Sequence, residues 1–535
     1  MISIELPEKL YGVHIHFVGI KGTGMAALVE ILSRQGAVIT GSDVSEHFYT
    51  DEVLAKAGVK VLPFSEKNIT SEIQYVIYSS AYSPQKNPDL MEAQRQKIPM
   101  LLYSQALGCL SETAYSCAVC GVHGKTTTTG LAGSIISGLA LPAQILAGSQ
   151  ITSFGGNCTL TNEAFLQNLQ KNRKIMAEKS CMTDDTDEKQ IFIAETCEYQ
   201  RHFMSFSPKK IILTSVESDH QDYYPTYNDI LNAFVDFICR LPEKGQLIYC
   251  ADDSGACEAA ILAKQKRPDI CLIPYGEKAS AQEGYRLHVG NVESACQNFS
   301  IEGPDSFKGS FKLYVPGLHL VKNACAAVAL NCELLKTHGL NPAEYTEKMA
   351  EGAAEFKGGR RRSEVTGITE NVHGDSVVFI DDYGHHPTAI RTTLAGYREF
   401  YKGRKIIVDF MSHTYSRTAS LFDEFAFSFD EADEIIFHKI YSSARENADD
   451  FSVTGEKLYE RAKERYHEKI HYFNEIMDSA DFLEQELNQK AGEKYPEGYL
   501  FVTMGAGDNW KIGRSLFDLL QKKSIQIATN LHFLA

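Results

Sequence analysis

Residues 121–126 read Gly-Val-His-Gly-Lys-Thr, a lysine and a hydroxyl directly behind a glycine turn. Those types in that order suit the phosphates of a nucleotide. The apolar run AYSCAVC precedes the turn and a helix-like segment follows it. Gly121 and Gly124 let backbone N–H groups approach phosphate oxygens, Lys125 neutralises the β- and γ-phosphates, and the Thr126 hydroxyl takes a place on Mg²⁺. The spacing is GxxGKT, shorter than the common GxxxxGKT. The competing reading is a chance GKT between a strand and a helix. The threonine run 126–129 is unusual for a helix interior but acceptable in a first turn, where side-chain oxygens can satisfy free N–H groups.

Other polar groups end apolar runs nearby. Glu195 closes IFIAE and Glu198 follows it; Asp219, His220 and Asp222 follow IILTSV. A histidine beside an aspartate is usually only hydrogen-bonded, but the position after a strand next to a phosphate loop favours a divalent-ion ligand. An earlier glycine turn, Gly19 to Gly24, reads GxxGxG rather than GxGxxG. A helix N-terminus there can hold a diphosphate, and Asp43 can reach a ribose or uracil group. The alternative is a purely structural tight turn. Arg360-Arg361-Arg362 lies between two units, either as a solvated hinge or as arginines that reach a γ-phosphate on closure. DDYGHHP (381–387) and HTYSRT (413–418) each end an apolar run. Cys117 and Cys120 form a lone CxxC inside a strand, which reads as core.

Positioning these residues requires parallel sheets. The chain has 535 residues, enough for about three domains. Strand-like runs alternate with helix-like ones at VHIHFVGI, AVITGSD, VKVLPF and YVIYSSA, a unit that closes near residue 113. A second unit opens at the phosphate turn, with strands at IFIAE, KIILTSV and GQLIYC. A third follows FKGGRRRSE, with four apolar runs at SVVFIDD, RKIIVDF, DEIIFHKIY and GYLFVTMG that fit a parallel sheet. The expected fold class is α/β with three domains: 1–113 Rossmann-like, 114–358 of P-loop ATPase type, and 359–535 Rossmann-like. The polar stretch 161–190 reads as a solvated insertion.

A net charge of -16 opposes nucleic acid and anionic membranes, so any phosphate must be held by local donors. The 13 cysteines in a chain of this size suit reduced thiols and a cytoplasmic location. No signal peptide is legible, and the apolar stretch nearest to the ~20 residues of a membrane span is 131–146, interrupted by Pro142.

Across residues 12–520 the chain resembles the Mur ligase family. The resemblance rests on GIKGTGM with Ser42-Asp43, on Ser79-Ser80-Ala81, on GVHGKTTTT, AETCEYQRHF, TSVESDHQDYY, GLHLVKNACAA, FKGGRRRSE, DDYGHHP and MGAGD, in that order. It implies that Gly22, Gly24, Met25, Ser42, Asp43, Ser79 and Ser80 hold a UDP-sugar. It implies that Gly121, His123, Gly124, Lys125, Thr126, Thr127 and Asn323 hold ATP. Thr126, Glu195 and His220 would be ligands for two Mg²⁺ ions. Lys125, His220, Arg361, Arg362 and His386 would be catalytic, with Asp382 and Tyr383 near the reacting groups. His413 and Arg417 would face the amino acid. Two positions depart from the family pattern: Leu320 stands where an asparagine is usual, and Thr414 where an arginine is.

The implied reaction is ATP-dependent ligation of L-alanine to the lactyl carboxylate of UDP-N-acetylmuramate, through an acyl phosphate, by a monomer or homodimer. The implied partners are small molecules only, with no nucleic acid and no membrane. Closure of the third domain after ATP binding is expected. A tripeptide-recycling ligase on the same sugar nucleotide is the near alternative. A nicotinamide-dependent oxidoreductase and a nucleotide-binding regulator without catalysis are more distant ones.

Overall fold

Three β-sheets follow one another along the chain. The computed structural model describes residues 5–7, 9–139, 141–168, 190–221, 223–293, 295–442, 446 and 448–534. Most of the expected insertion 161–190, and Asp222, lie outside the described residues.

The first sheet contains β1 His14–Val18, β2 Val38–Ser42, β3 Val61–Leu62, β4 Tyr75–Tyr78 and β5 Met100–Leu102, all parallel, in the order β3-β2-β1-β4-β5. Strand order reverses beside β1, which opens a crevice where the first glycine turn leaves the sheet. The second sheet has ten strands: β6 Tyr115–Cys120, β7 Ala143–Ile151, β8 Asn157–Thr161, β9 Ile191–Glu195, β10 Lys210–Leu213, β11 Gln246–Cys250, β12 Cys271–Gly276, β13 Tyr285–Glu293, β14 Cys296–Glu302 and β15 Lys308–Leu313. Their order is β15-β14-β13-β12-β11-β10-β6-β9-β7-β8, with antiparallel pairs at both edges. The phosphate turn leaves β6, between β9 and β10. Glu195 and Thr214 therefore stand at neighbouring carboxyl ends.

The third sheet holds β16 Glu364–Glu370, β17 Ser376–Asp382, β18 Arg404–Met411, β19 Glu434–Phe437, β20 Ile470–Tyr472 and β21 Gly498–Gly505, in the order β16-β17-β21-β18-β19-β20. The four expected apolar runs are its parallel centre. The edges add two strands that the sequence reading lacks: β16, antiparallel to β17, and the three-residue β20. The strands at the edges of the second sheet escape an apolar-run search for the same reason. Along β13 buried and exposed residues alternate at Tyr285, Arg286, Leu287 and His288, so no run forms.

Apolar packing divides the chain unequally. The first two units share one continuous core, from Leu6 through Ile15 and Leu131 to Phe356. The third unit has two clusters of its own, one on each face of its sheet. Among the described residues one helix, Leu318–Thr337, is long and apolar enough to cross a membrane, and 83% of it is buried inside the fold. That helix, not the expected 131–146 stretch, is the most apolar long one.

Between β18 and β19 the third unit buries an ionic group. His438 donates from Nε2 to Asp409 at 2.8 Å and from Nδ1 to the Phe473 carbonyl at 2.9 Å. Asn509 donates to the other Asp409 oxygen at 3.1 Å. Burial alone would lower the His438 pKa, but Asp409 overcomes this and raises it above its ordinary value. A raised folded-state value stabilises the fold fully below the unfolded value of about 6.5, and this is lost as pH rises through the folded value. His438→Leu leaves Asp409 buried and unpaired, so a loss of about 3–5 kcal/mol is expected in urea unfolding. The gap between wild type and variant should narrow from about pH 6 to pH 9. A gap that widens over that range contradicts the assignment.

Candidate active site at the junction of the three sheets

The phosphate turn has the shape it does because two of its residues can have no side chain. Gly121 has φ 132°, and a Cβ there would lie 2.1 Å from Thr214 Oγ1. Gly124 has φ 79°, and a Cβ there would lie 2.6 Å from Asn323 Oδ1. Both angles are open to glycine and costly for other residues. The turn is tied to the end of β10: the His123 N–H donates to Ser215 Oγ at 2.9 Å, and the Val122 N–H to the Ser215 carbonyl at 3.0 Å. The helix Lys125–Ser137 then begins without any side-chain cap. The expected capping by the threonine run does not occur: the Thr129 hydroxyl donates to the Lys125 carbonyl at 2.9 Å instead. The first-turn N–H groups are thus left for an anion.

Lys125 folds back onto its own turn. Its ammonium donates to the Gly121 carbonyl at 2.6 Å and lies 3.1 Å from a Glu198 oxygen. His220 approaches the same carboxylate, Nε2 to Oε1 at 3.4 Å. Burial would lower the lysine, but Glu198 and Glu195 overcome it and hold the ammonium above its ordinary value. Burial would raise Glu198, but Lys125 and His220 hold it down. Glu195 accepts the Gly148 N–H at 2.6 Å.

Two cavities open on this cluster. One, of about 500 Å³, is walled by the phosphate turn, Thr127, Asp252, His319, Asn323, Arg362 and Asp382. The other, of about 1620 Å³, runs from Thr23 and Tyr49 in the first unit to Arg361, Tyr383 and Trp510 in the third. Thr126, Glu195 and Arg362 wall both. His319 is half-buried on the cavity wall, and desolvation lowers it to about 4.

The adjacent arginines part company. Arg362 faces both cavities and lies 5.1 Å from the centre of the Tyr383 ring. Arg361, at φ 54°, donates from Nε to Asp381 at 2.8 Å and from Nη2 to the Gly505 carbonyl at 2.7 Å. His386 starts the helix Pro387–Phe400 and accepts the Thr388 N–H at 3.3 Å.

The residues expected to hold a UDP-sugar sit around the crevice but do not all face it. Gly22 precedes the helix Thr23–Arg34, whose first turn has no side-chain cap; the backbone of Gly24 lies under the Tyr103 ring. Met25 is buried in the core. Ser42 requires correction: its side chain is fully buried against His16, and its carbonyl accepts the Gly19 and Ile20 N–H groups, so it shapes the turn and has no surface for a ligand. Asp43 is largely committed too, accepting from the Lys21 and Val44 N–H groups and the Tyr82 hydroxyl at 2.7–2.9 Å. Ser79 is half-buried and Ser80 exposed. Tyr49, His47 and Phe48, which wall the large cavity, were not singled out from sequence. They follow Asp43 closely, and that nearness is the one signal that pointed to them.

The pair expected to face an amino acid lies outside both cavities. Arg417 donates from Nη2 and Nε to Asp219 Oδ1 at 2.9 and 3.2 Å, and the pair is buried. Arg417 and His220 hold the Asp219 carboxyl well below the usual range against the effect of burial. Burial lowers His413 to about 4. Thr414, at φ 68°, occupies backbone space that β-branched residues avoid. With His220 at φ 53° and Arg361, three non-glycine residues of the cluster are in the left-handed region.

Comparison with known proteins agrees in all three units. Residues 14–115 match "Mur ligase family, catalytic domain", 119–331 the "Mur ligase middle domain", and 361–507 the "Mur ligase, glutamate ligase domain". A UDP-N-acetylmuramate–L-alanine ligase of Treponema pallidum is 45% identical over 97% of this chain and 99% of its own. That of Borreliella afzelii is 35% identical over 93% and 97%. In fold, the chain is similar to the UDP-N-acetylmuramate–alanine ligase of Thermotoga maritima, with TM-score 0.69 and 22% identity over 95% and 99% of the two chains. A murein peptide ligase of Psychrobacter arcticus gives TM-score 0.62 at 21% identity, with the same coverage. The chain belongs to the Mur ligase family.

Proposed function

We propose that this chain joins L-alanine to the lactyl carboxylate of UDP-N-acetylmuramate, splitting ATP to ADP and phosphate, in peptidoglycan precursor synthesis in the cytoplasm. One observation carries the reading: the cavity on the phosphate turn and the cavity reaching the first unit meet at Thr126, Glu195 and Arg362. A γ-phosphoryl group and a carboxylate brought to that meeting point are within reach of each other. The full-length relatives supply the substrates' names. The division of labour follows the sheets: 1–113 for the UDP-sugar, 114–358 for ATP, 359–535 for closure and the amino acid.

A carboxylate is a poor electrophile, so the first step makes it an acyl phosphate. A carboxylate oxygen bonds to the γ-phosphorus, the bond to the β-phosphate oxygen breaks, and ADP leaves. Lys125 exchanges Glu198 for the phosphates, and Arg362 stabilises charge on the group in flight. Thr126 and Glu195 are hard oxygen donors on both cavities and suit Mg²⁺, His220 beside Glu198 would hold a second ion, and bound ions would neutralise the triphosphate. The amine of L-alanine then attacks the carbonyl carbon, and the tetrahedral intermediate expels phosphate. Arg417 orients the amino acid's carboxylate once Asp219 gives way. Burial lowers His386 to about 4, as it does His413, so both imidazoles are neutral at pH 7. They can accept the amine's proton and pass it on without retaining it.

ADP release should require UDP-N-acetylmuramate and L-alanine together, with the tripeptide inert as acceptor. Release with the sugar nucleotide and tripeptide alone would replace this reading with the recycling ligase. Lys125→Ala should lower kcat by about 10³-fold or more. Gly121→Ala, whose Cβ meets Thr214, should weaken ATP binding by calorimetry at least tenfold, about 1.4 kcal/mol. Arg417→Ala should raise KM for L-alanine about 10–100-fold, the worth of a charge-assisted pair, and leave KM for ATP within about threefold. An unchanged KM for L-alanine would remove Arg417 from the amino-acid site.

A further inference from the structure

We propose that His123, Glu217 and His386 form a binding site for a zinc-class transition-metal dication, one that clasps the phosphate turn to the third unit. The three come from separate segments: the turn after β6, the loop after β10, and the residue that starts the helix Pro387–Phe400. One ligand atom from each lies within 4.8 Å of the other two. His123 Nε2 is 3.6 Å from Glu217 Oε2, and His386 Nδ1 is 3.9 Å from the same oxygen. Those separations are too long for hydrogen bonds. The Nε2 atoms of both rings are buried and have no hydrogen-bond partner, an arrangement that costs free energy unless something fills it. His386 is only 6% exposed. The Thr388 hydroxyl donates to the same Glu217 oxygen at 3.2 Å and so helps fix where that oxygen lies.

Two imidazoles and one carboxylate are the three-ligand set of open tetrahedral zinc sites, with water in the fourth place. Bonds of about 2.0–2.1 Å put tetrahedral ligands about 3.3 Å apart, so side-chain rotations of an ångström or less close the site. Imidazole donors favour zinc, nickel and cobalt, whereas Mg²⁺ selects oxygens. The site is thus chemically distinct from Thr126, Glu195 and His220. It joins the second unit to the third, so an ion held there resists the movement that releases product, and micromolar zinc should slow turnover until a chelator is added.

Co²⁺ titration of the full chain, with Mg²⁺ in excess and no substrates, tests this. The expected result is saturation at one equivalent with the intense visible bands of four-coordinate cobalt, bleached by one equivalent of Zn²⁺. Glu217→Gln and His386→Gln should each weaken binding at least tenfold, while His220→Gln leaves it unchanged. No saturable absorption, or binding indifferent to both former variants, overturns the proposal, as does binding lost in His220→Gln alone. If a variant fails to fold by circular dichroism, anomalous diffraction from zinc-soaked wild-type crystals decides instead: a peak among the three side chains supports the site, and none there refutes it. Since cobalt is read without substrates, failure here leaves the ligase reading standing.

Discussion

A buried ammonium must always have an anion. The Lys125 side chain is only 16% exposed, and an unpaired charge there would cost free energy. Glu198 meets that need in this structure, and the Gly121 carbonyl takes another of the three ammonium hydrogens. Glu198 is itself only 2% exposed, and its backbone carbonyl accepts the Tyr224 hydroxyl at 2.5 Å, so it cannot follow the lysine elsewhere. On the proposed reading, a triphosphate would draw the ammonium away from Glu198 and release the carboxylate towards His220, 3.4 Å away. A carboxylate and an imidazole freed together beside a triphosphate favour a cation in the lysine's place. On the proposed reading, nucleotide and metal binding would then be coupled through one side chain.

The same logic of exchange runs through the contact with the third unit. The first two units share a core. The third meets them mainly through polar groups: Arg417 with Asp219, Thr388 with Glu217, Arg360 with Gln150 at 3.0 Å. Interfaces of that composition allow domains to move. Arg417 illustrates why. If it serves a substrate carboxylate as proposed, its guanidinium also cannot stay bare when buried, and Asp219 of the chain pairs with it in this structure. Opening and refilling cost little because one ion pair replaces another.

How far the sequence told this depends on where each signal resides. The phosphate turn was legible because its chemistry is local: two glycines, a lysine and a threonine in six residues between an apolar run and a helix. Glu195 and His220 could be placed near the turn because Glu195 ends β9 and His220 lies in the loop after β10, and parallel strands next to a phosphate turn bring their carboxyl ends together. Ser42 misled for a complementary reason. A serine after a strand looks available, yet whether it faces the crevice or the core is fixed by β1 and His16, which lie far away in sequence. The different partners of Arg361 and Arg362 were equally hidden, since Arg361 is held by Asp381 and the Gly505 carbonyl, which meet it only in the folded third sheet. The short edge strands and the Tyr49 wall of the large cavity required tertiary contacts to appear.

The histidines complete the electrostatic argument. A chain of net charge -16 must attract a triphosphate and a sugar diphosphate into one junction. Charging the local histidines would help binding, yet burial holds His319, His386 and His413 near 4, neutral at pH 7. Permanent positive charge on the two cavity walls comes from Lys125, Lys322, Arg360, Arg361, Arg362, Lys511 and Arg514, and of these Lys125, Lys322, Arg361 and Lys511 are paired with Glu198, Asp252, Asp381 and Asp508. Arg362 alone faces both cavities, at their meeting point. Much of that positive charge is therefore paired within the protein, and ligands that displace the internal carboxylates would expose it. Selectivity follows from that arrangement. An anion that cannot displace Glu198 in the right geometry would gain little from Lys125, however negative it is.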